Sequence, residues 1–226
     1  MKKFFILALL LCTSAFIAFG SSWDSYKQQT LHVQKTIPGW CSTEKAQKLM
    51  DLVYEVHPKI CVEIGVFGGS SVYPTARALK FLKEGVIYAI DPWSNIECTQ
   101  GYTSDDPNYG WWNQIDLEKV YCDFKSLIES HGLSPYCNIM RMTSKEALLT
   151  FADESIDILH IDGNHTEEVA FADAQMFLPK LKKGGYLWFD DVDWSTTKKA
   201  VVYISEHCEL LADRSVGNSC LLFRKL

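Results

Sequence analysis

Short apolar runs alternate along this chain with longer stretches in which apolar positions return every three or four residues. The runs at residues 60–64, 86–90, 137–142, 156–161 and 186–189 carry few charges, and each reads as a strand covered on both faces. The stretches between them read as helices. Over residues 44–56, Ala46, Leu49, Met50, Val53 and Val56 share one face; Ser42 or Thr43 offers a cap, and Pro58 ends the helix. Further helices are predicted over about residues 70–83, 114–130, 144–151, 167–181 and 196–207. Gly85, His131-Gly132 and Gly184-Gly185 stop three of them. Two last strands, at about 209–213 and 219–224, flank Gly217-Asn218. Strands alternating with helices, then a closing hairpin, specify an α/β fold. Its sheet is doubly wound and mostly parallel, with seven strands and an antiparallel C-terminal edge strand. One domain is expected over residues 44–226, after a polar lead-in at 21–43. The irregular stretch 92–113 is long for a plain connector and reads as a functional loop.

The first strand carries chemistry. Glu63 lies within it; Gly65, Gly68, Gly69 and Ser70 follow, and a helix begins. A strand, a glycine turn and a helix start together cradle a nucleoside ligand at the carboxyl edge of a parallel sheet. The spacing Glu63-x-Gly65-x-x-x-Gly69 is not that of a dinucleotide fingerprint. A carboxylate there repels a pyrophosphate and suits an ammonium or sulfonium ligand. Asp91 ends the second strand, placed to accept hydrogen bonds from both hydroxyls of a ribose.

A second constellation lies later in the chain. The strand at 156–161 runs into Asp162-Gly163-Asn164-His165, and the strand at 186–189 runs into Asp190-Asp191. Three carboxylates at two strand tips suit a hard divalent ion, magnesium most simply. Acids at strand ends also cap following helices, so Asp162 alone decides nothing. His165 is the candidate general base, its ordinary pKa lying near neutrality; a solvated histidine at a helix start is the plainer alternative. His160 reads as a core histidine.

The strand pair ending in Glu63 and Asp91 resembles the class I S-adenosylmethionine-dependent methyltransferases. Ile161-Asp162-Gly163-Asn164-His165 followed by Phe189-Asp190-Asp191 is similar to methyltransferase family 24, related to macrocin-type sugar O-methyltransferases and cephalosporin hydroxylase-like proteins. The likeness covers roughly residues 40–224 and implies a Rossmann-like fold. It also implies S-adenosylmethionine held by Glu63, Gly65, Gly69 and Asp91, magnesium held by Asp162, Asp190 and Asp191, and His165 as the base. Gly68 and Ser70 complete the cofactor loop. Asn164 departs from the pattern, because an acid is frequent there in the family. Trp93 is placed to stack on adenine or to pack at the domain edge. Ser144 is placed to meet adenine or ribose, or to cap its helix. Tyr109, Trp111 and Trp112 form a substrate lid or anchor the helix after them.

The expectation is therefore a magnesium-assisted O-methyltransferase of a small hydroxylated acceptor. Two rivals are a cofactor-binding protein without turnover and a metal-dependent hydroxylase. The hydroxylase calls for two histidines and a carboxylate, and the sequence sets only one histidine beside the acids.

Residues 1–20 change the cellular picture. Lys2-Lys3 precede an apolar stretch, and Ala18 and Gly20 offer a cleavage site, the pattern of a signal peptide or N-terminal anchor. Export or membrane attachment through this segment is expected. Losing it moves the formal charge from -6 to -8, which argues against nucleic acid as a partner. A homo-oligomer is compatible with this composition. Seven cysteines follow Cys12, an odd number with no CxxC spacing. With the cofactor, they point to a reducing compartment, against the export signal.

Overall fold

A computed structural model describes residues 22–226. Its elements run α1 (Trp23–Gln34), α2 (Thr43–Val56), β1 (Ile60–Ile64), α3 (Val72–Leu82), β2 (Val86–Ile90), α4 (Asn95–Cys98), α5 (Pro107–Gln114), α6 (Leu117–Ser130), β3 (Cys137–Met140), α7 (Ser144–Ala147), β4 (Ile156–Ile161), α8 (Glu167–Phe177), β5 (Leu181–Phe189), α9 (Lys198–His207), β6 (Cys208–Leu210) and β7 (Leu221–Lys225). The sheet order is β3-β2-β1-β4-β5-β7-β6. Strands β1 to β5 run parallel, and β7 runs antiparallel between β5 and the short outer strand β6.

Register places the chemistry. Ile64 pairs with Ile90 and Ile161, and Ile161 pairs with Phe189. The next residue of each strand is Gly65, Asp91, Asp162 and Asp190, so these four stand side by side along the carboxyl edge. The strand order reverses between β1 and β4, which opens a crevice at this row. One row earlier, Glu63 pairs with His160 and His160 with Trp188. Side chains alternate faces along a strand. Glu63, His160, Asp162 and Asp190 therefore share the face covered by α2 and α3. Leu49, Met50, Val53, Val72 and Leu79 fill that layer. Phe151, Ala174, Phe177, Ala200 and Ile204 fill the opposite one.

Several elements differ from the sequence reading. The lead-in forms α1, capped by Ser22, which accepts from the Ser25 amide. Thr30, Gln34 and Lys27 are buried along with Leu31, so polar residues mask the apolar period of this helix. Lys27 Nζ bonds Asp51 at 2.6 Å, and the Tyr26 hydroxyl donates to the Arg77 carbonyl, tying α1 to α2 and α3. Strand β5 starts five residues early, with Gly184-Gly185 inside it. The register slips between Ile156 and Ile158, and the glycines absorb that irregularity. The stretch 92–113 contains α4 and α5, and Asp116 caps α6 separately.

Among the described residues no helix is long and apolar enough to cross a membrane, and all seven cysteines are unpaired. The segment expected to act as a signal, 1–20, lies outside the described residues.

Candidate active site

Gly65 has φ +84°, and a side chain there would collide with the backbone of Asp162. The turns after β1 and β4 touch only because this residue is glycine. Beside them opens a cleft of about 1000 Å³, open mouth included. Gly65, Asp91, Ser144, Asp162 and His165 line its floor, and Trp40, Phe67 and Trp112 its mouth. Ser70 also reaches the cleft, with its hydroxyl facing the Cys41 amide at 3.4 Å.

Four residues expected at the cofactor do not line this cleft. Gly68 packs under Pro38, and Gly69 packs against the Phe124 ring. Trp93 is 2% exposed; it stacks on Phe124 and donates Nε1 to the Phe67 carbonyl at 2.9 Å. Of its two readings, packing is the one observed. Glu63 is 1% exposed and accepts from the Ser71 hydroxyl. It lies beneath the loop rather than aiming through it, because its face of β1 is covered by α2 and α3. Asp91 reaches the cleft, but its Oδ2 accepts from the Val66 and Phe67 amides and its Oδ1 from Trp93. Burial pushes this carboxyl up, against the pull of those amides. It thus shapes the glycine loop from below as well as facing the cleft.

The three acids divide. Asp190 turns inward, where its Oδ2 meets Lys45 Nζ at 2.5 Å and His160 Nε2 at 2.5 Å. Lys45 also reaches Asp162 Oδ2 at 3.3 Å. His160 Nδ1 lies 3.0 Å from Glu63, too poorly aligned for a good hydrogen bond. The result is a buried chain of alternating charge: Glu63, His160, Asp190, Lys45, Asp162. Burial works against the charge on Asp190, but Lys45 and then His160 hold its carboxyl well below the usual range. Burial and Lys45 push His160 down; Glu63 and Asp190 outweigh them and raise it to about 9.

Asp191, at φ +52°, turns the other way. Its Oδ2 lies 3.0 Å from His165 Nε2, which is itself 3.9 Å from Asp162. Trp194 packs on the imidazole with ring centroids 4.7 Å apart. Burial lowers His165, but Asp162 and Asp191 prevail and raise it to about 9. Among the described residues the possible ligand groups are His160, Asp162 and Asp190, and separately Asp162, His165 and Asp191. The three acids expected to hold magnesium do not form one donor set, because Asp190 and Asp191 fall in different groups, and Lys45 contacts both acids of the first. His160 is buried as expected, but it touches the acids.

Thr143, not Ser144, caps α7 through a capping box with Glu146. Ser144 instead donates to Asp173 Oδ1 at 2.5 Å. Burial raises Asp173 to about 6, although Ser144 pulls the other way. Asn164 donates its amide to the carbonyls of Cys98 and Gln100 and accepts from the Thr166 amide. A carboxylate has no proton for those carbonyls, which accounts for the departure at this position. Trp40, Phe67, Trp111 and Trp112 form one aromatic cluster, with centroids 4.6 to 6.5 Å apart. Burial pushes the Cys41 and Cys98 thiols up to about 12, so neither offers a thiolate to the cleft.

A family profile described as a methyltransferase domain matches residues 62–192, more than half of the chain. The chain belongs to this methyltransferase family. The uncharacterized protein y4gI of Sinorhizobium fredii is 26% identical over 145 residues, 64% of this chain. This chain spans only 14% of that relative's length. The O-methyltransferase NovP superposes with a TM-score of 0.67 at 15% identity, covering 89% of this chain and 97% of its own. A Bacillus cereus O-methyltransferase solved in complex with S-adenosylhomocysteine (SAH) gives 0.59 at 16% identity, covering 93% of both chains. The SAH-bound methyltransferase PaMTH1 of Podospora anserina gives 0.62 at 14%, covering 89% of this chain and 88% of its own. At these identities the likeness establishes the fold.

The sequence reading of this methyltransferase domain missed Lys45 and Asp173. Both were signalled. Lys45 falls on the buried stripe of α2 with Leu49, Leu52 and Val53, and Asp173 on that of α8 with Ala170, Ala174 and Phe177. A charge at a core position of an amphipathic helix needs a partner.

The two raised histidines set the alkaline limit of stability. Each has a folded pKa of about 9, above an unfolded value near 6.5. Their contribution is complete below about pH 6.5 and is lost as pH rises through about 9. Melting temperature is expected to fall between pH 7 and 9.5. A flat profile over that window would show that these imidazoles are not charged in the fold.

Proposed function

We propose that this protein is an S-adenosylmethionine-dependent O-methyltransferase acting on a small hydroxylated acceptor. The observation that carries the reading is the cleft at the β1/β4 crevice, with Gly65, Asp91 and Asp162 in one register row, in a chain of this family. The fold's SAH-bound neighbours support the choice of cofactor. The residues suit that group: Asp91 faces the cleft at the second strand tip, and the half-buried Ser144 with the buried Asp173 offers acceptors to an amino group. When bound, the cofactor supplies a methyl carbon activated by a sulfonium.

The rest is this chain's work. The aromatic mouth built from Trp40, Phe67 and Trp112, whose rings stand tilted or edge-on to one another, offers apolar contact to the acceptor. Holding the acceptor oxygen in line with the methyl carbon supplies most of the rate. The acceptor oxygen's proton would pass to Nε2 of His165. This atom is buried without an aligned hydrogen-bond partner, and Asp162 and Asp191 stabilise the imidazolium that forms. A base of pKa near 9 is matched to a phenol-like hydroxyl better than to an alkyl alcohol. Magnesium takes no part in this reading, since Lys45 Nζ already contacts both Asp162 and Asp190.

Calorimetry with SAH is the test. The wild type is expected to bind at micromolar levels, and Asp91→Ala to bind about 10- to 100-fold more weakly. That loss reflects the release of amides that a charged group had ordered. Equal affinity in both proteins, or a preference for NAD, would remove this reading.

A further inference from the structure

Lys45 occupies an unusual place for an ammonium. It is 4% exposed, at the start of α2, among core side chains. Burying a lysine costs several kcal/mol unless close anions compensate. Here the compensation comes from the tips of two neighbouring strands, Asp190 of β5 at 2.5 Å and Asp162 of β4 at 3.3 Å. The nitrogen lies between the carboxylates that a bridging metal ion would have to share. Magnesium would need oxygens at about 2.0–2.1 Å and room for its waters. That space holds Nζ, and His160 Nε2 also contacts the same Asp190 oxygen.

We propose that Lys45 is this protein's built-in substitute for a divalent ion, so that its acid cluster binds no metal. The remaining group of Asp162, His165 and Asp191 lacks Asp190. A dication there would share Asp162 with an ammonium already 3.3 Å away, and the two cations repel. An ammonium differs from a metal in one respect that matters. It donates hydrogen bonds but leaves no open position for a substrate oxygen. Lys45 therefore acts as a positioning residue: it fixes Asp162 and Asp190, and leaves acceptor deprotonation to His165. This last consequence rests on the methyl-transfer reading; the metal-free cluster does not.

The test uses the purified full chain, with Mg2+ and Mn2+ as probes. Elemental analysis of the wild type is expected to find far less than one equivalent of divalent metal. Its melting temperature is expected to move by less than about 1 °C with either ion or with EDTA. K45M removes the charge at similar volume and frees the acids. It is expected to melt lower than wild type and to recover about 5–10 °C at a Mn2+ concentration 100-fold above its dissociation constant. K45R keeps the charge and is expected to stay insensitive to both ions. A stoichiometric metal in the wild type, or its destabilisation by EDTA, would overturn the proposal. So would a folded K45M that gains no metal response. Should K45M fail to fold, the wild-type and K45R measurements decide alone. SAH binding in the same preparations separates this result from the functional reading: failure to bind SAH leaves the metal outcome standing.

Discussion

Replacing Asp190 by alanine is expected to destabilise the folded protein by about 3–5 kcal/mol, the usual cost of breaking a buried ion pair from one side. Asp190 has 12% of its side chain exposed and contacts two cations through one oxygen. Without it, Lys45 keeps only the longer contact to Asp162, and His160 keeps only the misaligned Glu63. Neither can turn to water, because α2 and the sheet enclose both. The neighbouring Asp191→Ala should cost less than about 1 kcal/mol, since its carboxylate is 29% exposed and pairs only with His165. Urea unfolding at pH 7 measures both. The expected gap between these adjacent substitutions is the decisive quantity. Equal losses would mean that the two acids form one site after all.

Replacing His165 by alanine is expected to lower turnover roughly 100-fold or more, the scale for a general base, with SAH affinity nearly unchanged. The pH profile carries the sharper signature. With its pKa raised to about 9, only about one imidazole in a hundred is neutral at pH 7. Wild-type turnover should therefore climb nearly tenfold per pH unit before levelling off near pH 9. His165→Ala should lose that limb, and its deficit should shrink where the acceptor hydroxyl ionises unaided. Asp191→Asn should shift the plateau to lower pH, because it removes one of the two carboxylates that hold the imidazole charged. An unchanged rate in His165→Ala would leave His165 a wall residue packed on Trp194. A plateau that stays at the same pH in Asp191→Asn would assign the titration to another group.

The five parallel strands, the glycine turn at Gly65 and the acid tips of β2, β4 and β5 were legible because each depends on local periods and turn chemistry. A two-residue alternation puts Glu63, His160, Asp162 and Asp190 on one face whatever covers that face. Helix α1 was not legible, because its buried positions include Thr30, Gln34 and Lys27, and polar side chains at core positions erase the period. Strand β5 was read too short, because glycines that stop a helix can also relax a strand at a register slip.

The residue types and spacing by themselves determined an acidic row at the carboxyl edge of a parallel sheet beside a glycine loop. They did not determine which acid meets which cation. Asp190 and Asp191 are adjacent in the chain, yet one is locked inside by Lys45 and His160 and the other pairs with His165. That division follows from Lys45, which lies 117 residues from Asp162 and 145 from Asp190. No local pattern links positions so distant. The electrostatic energy of a buried charge depends on what stands within a few ångströms of it, and only the packing of α2 against the tips of β4 and β5 sets that distance.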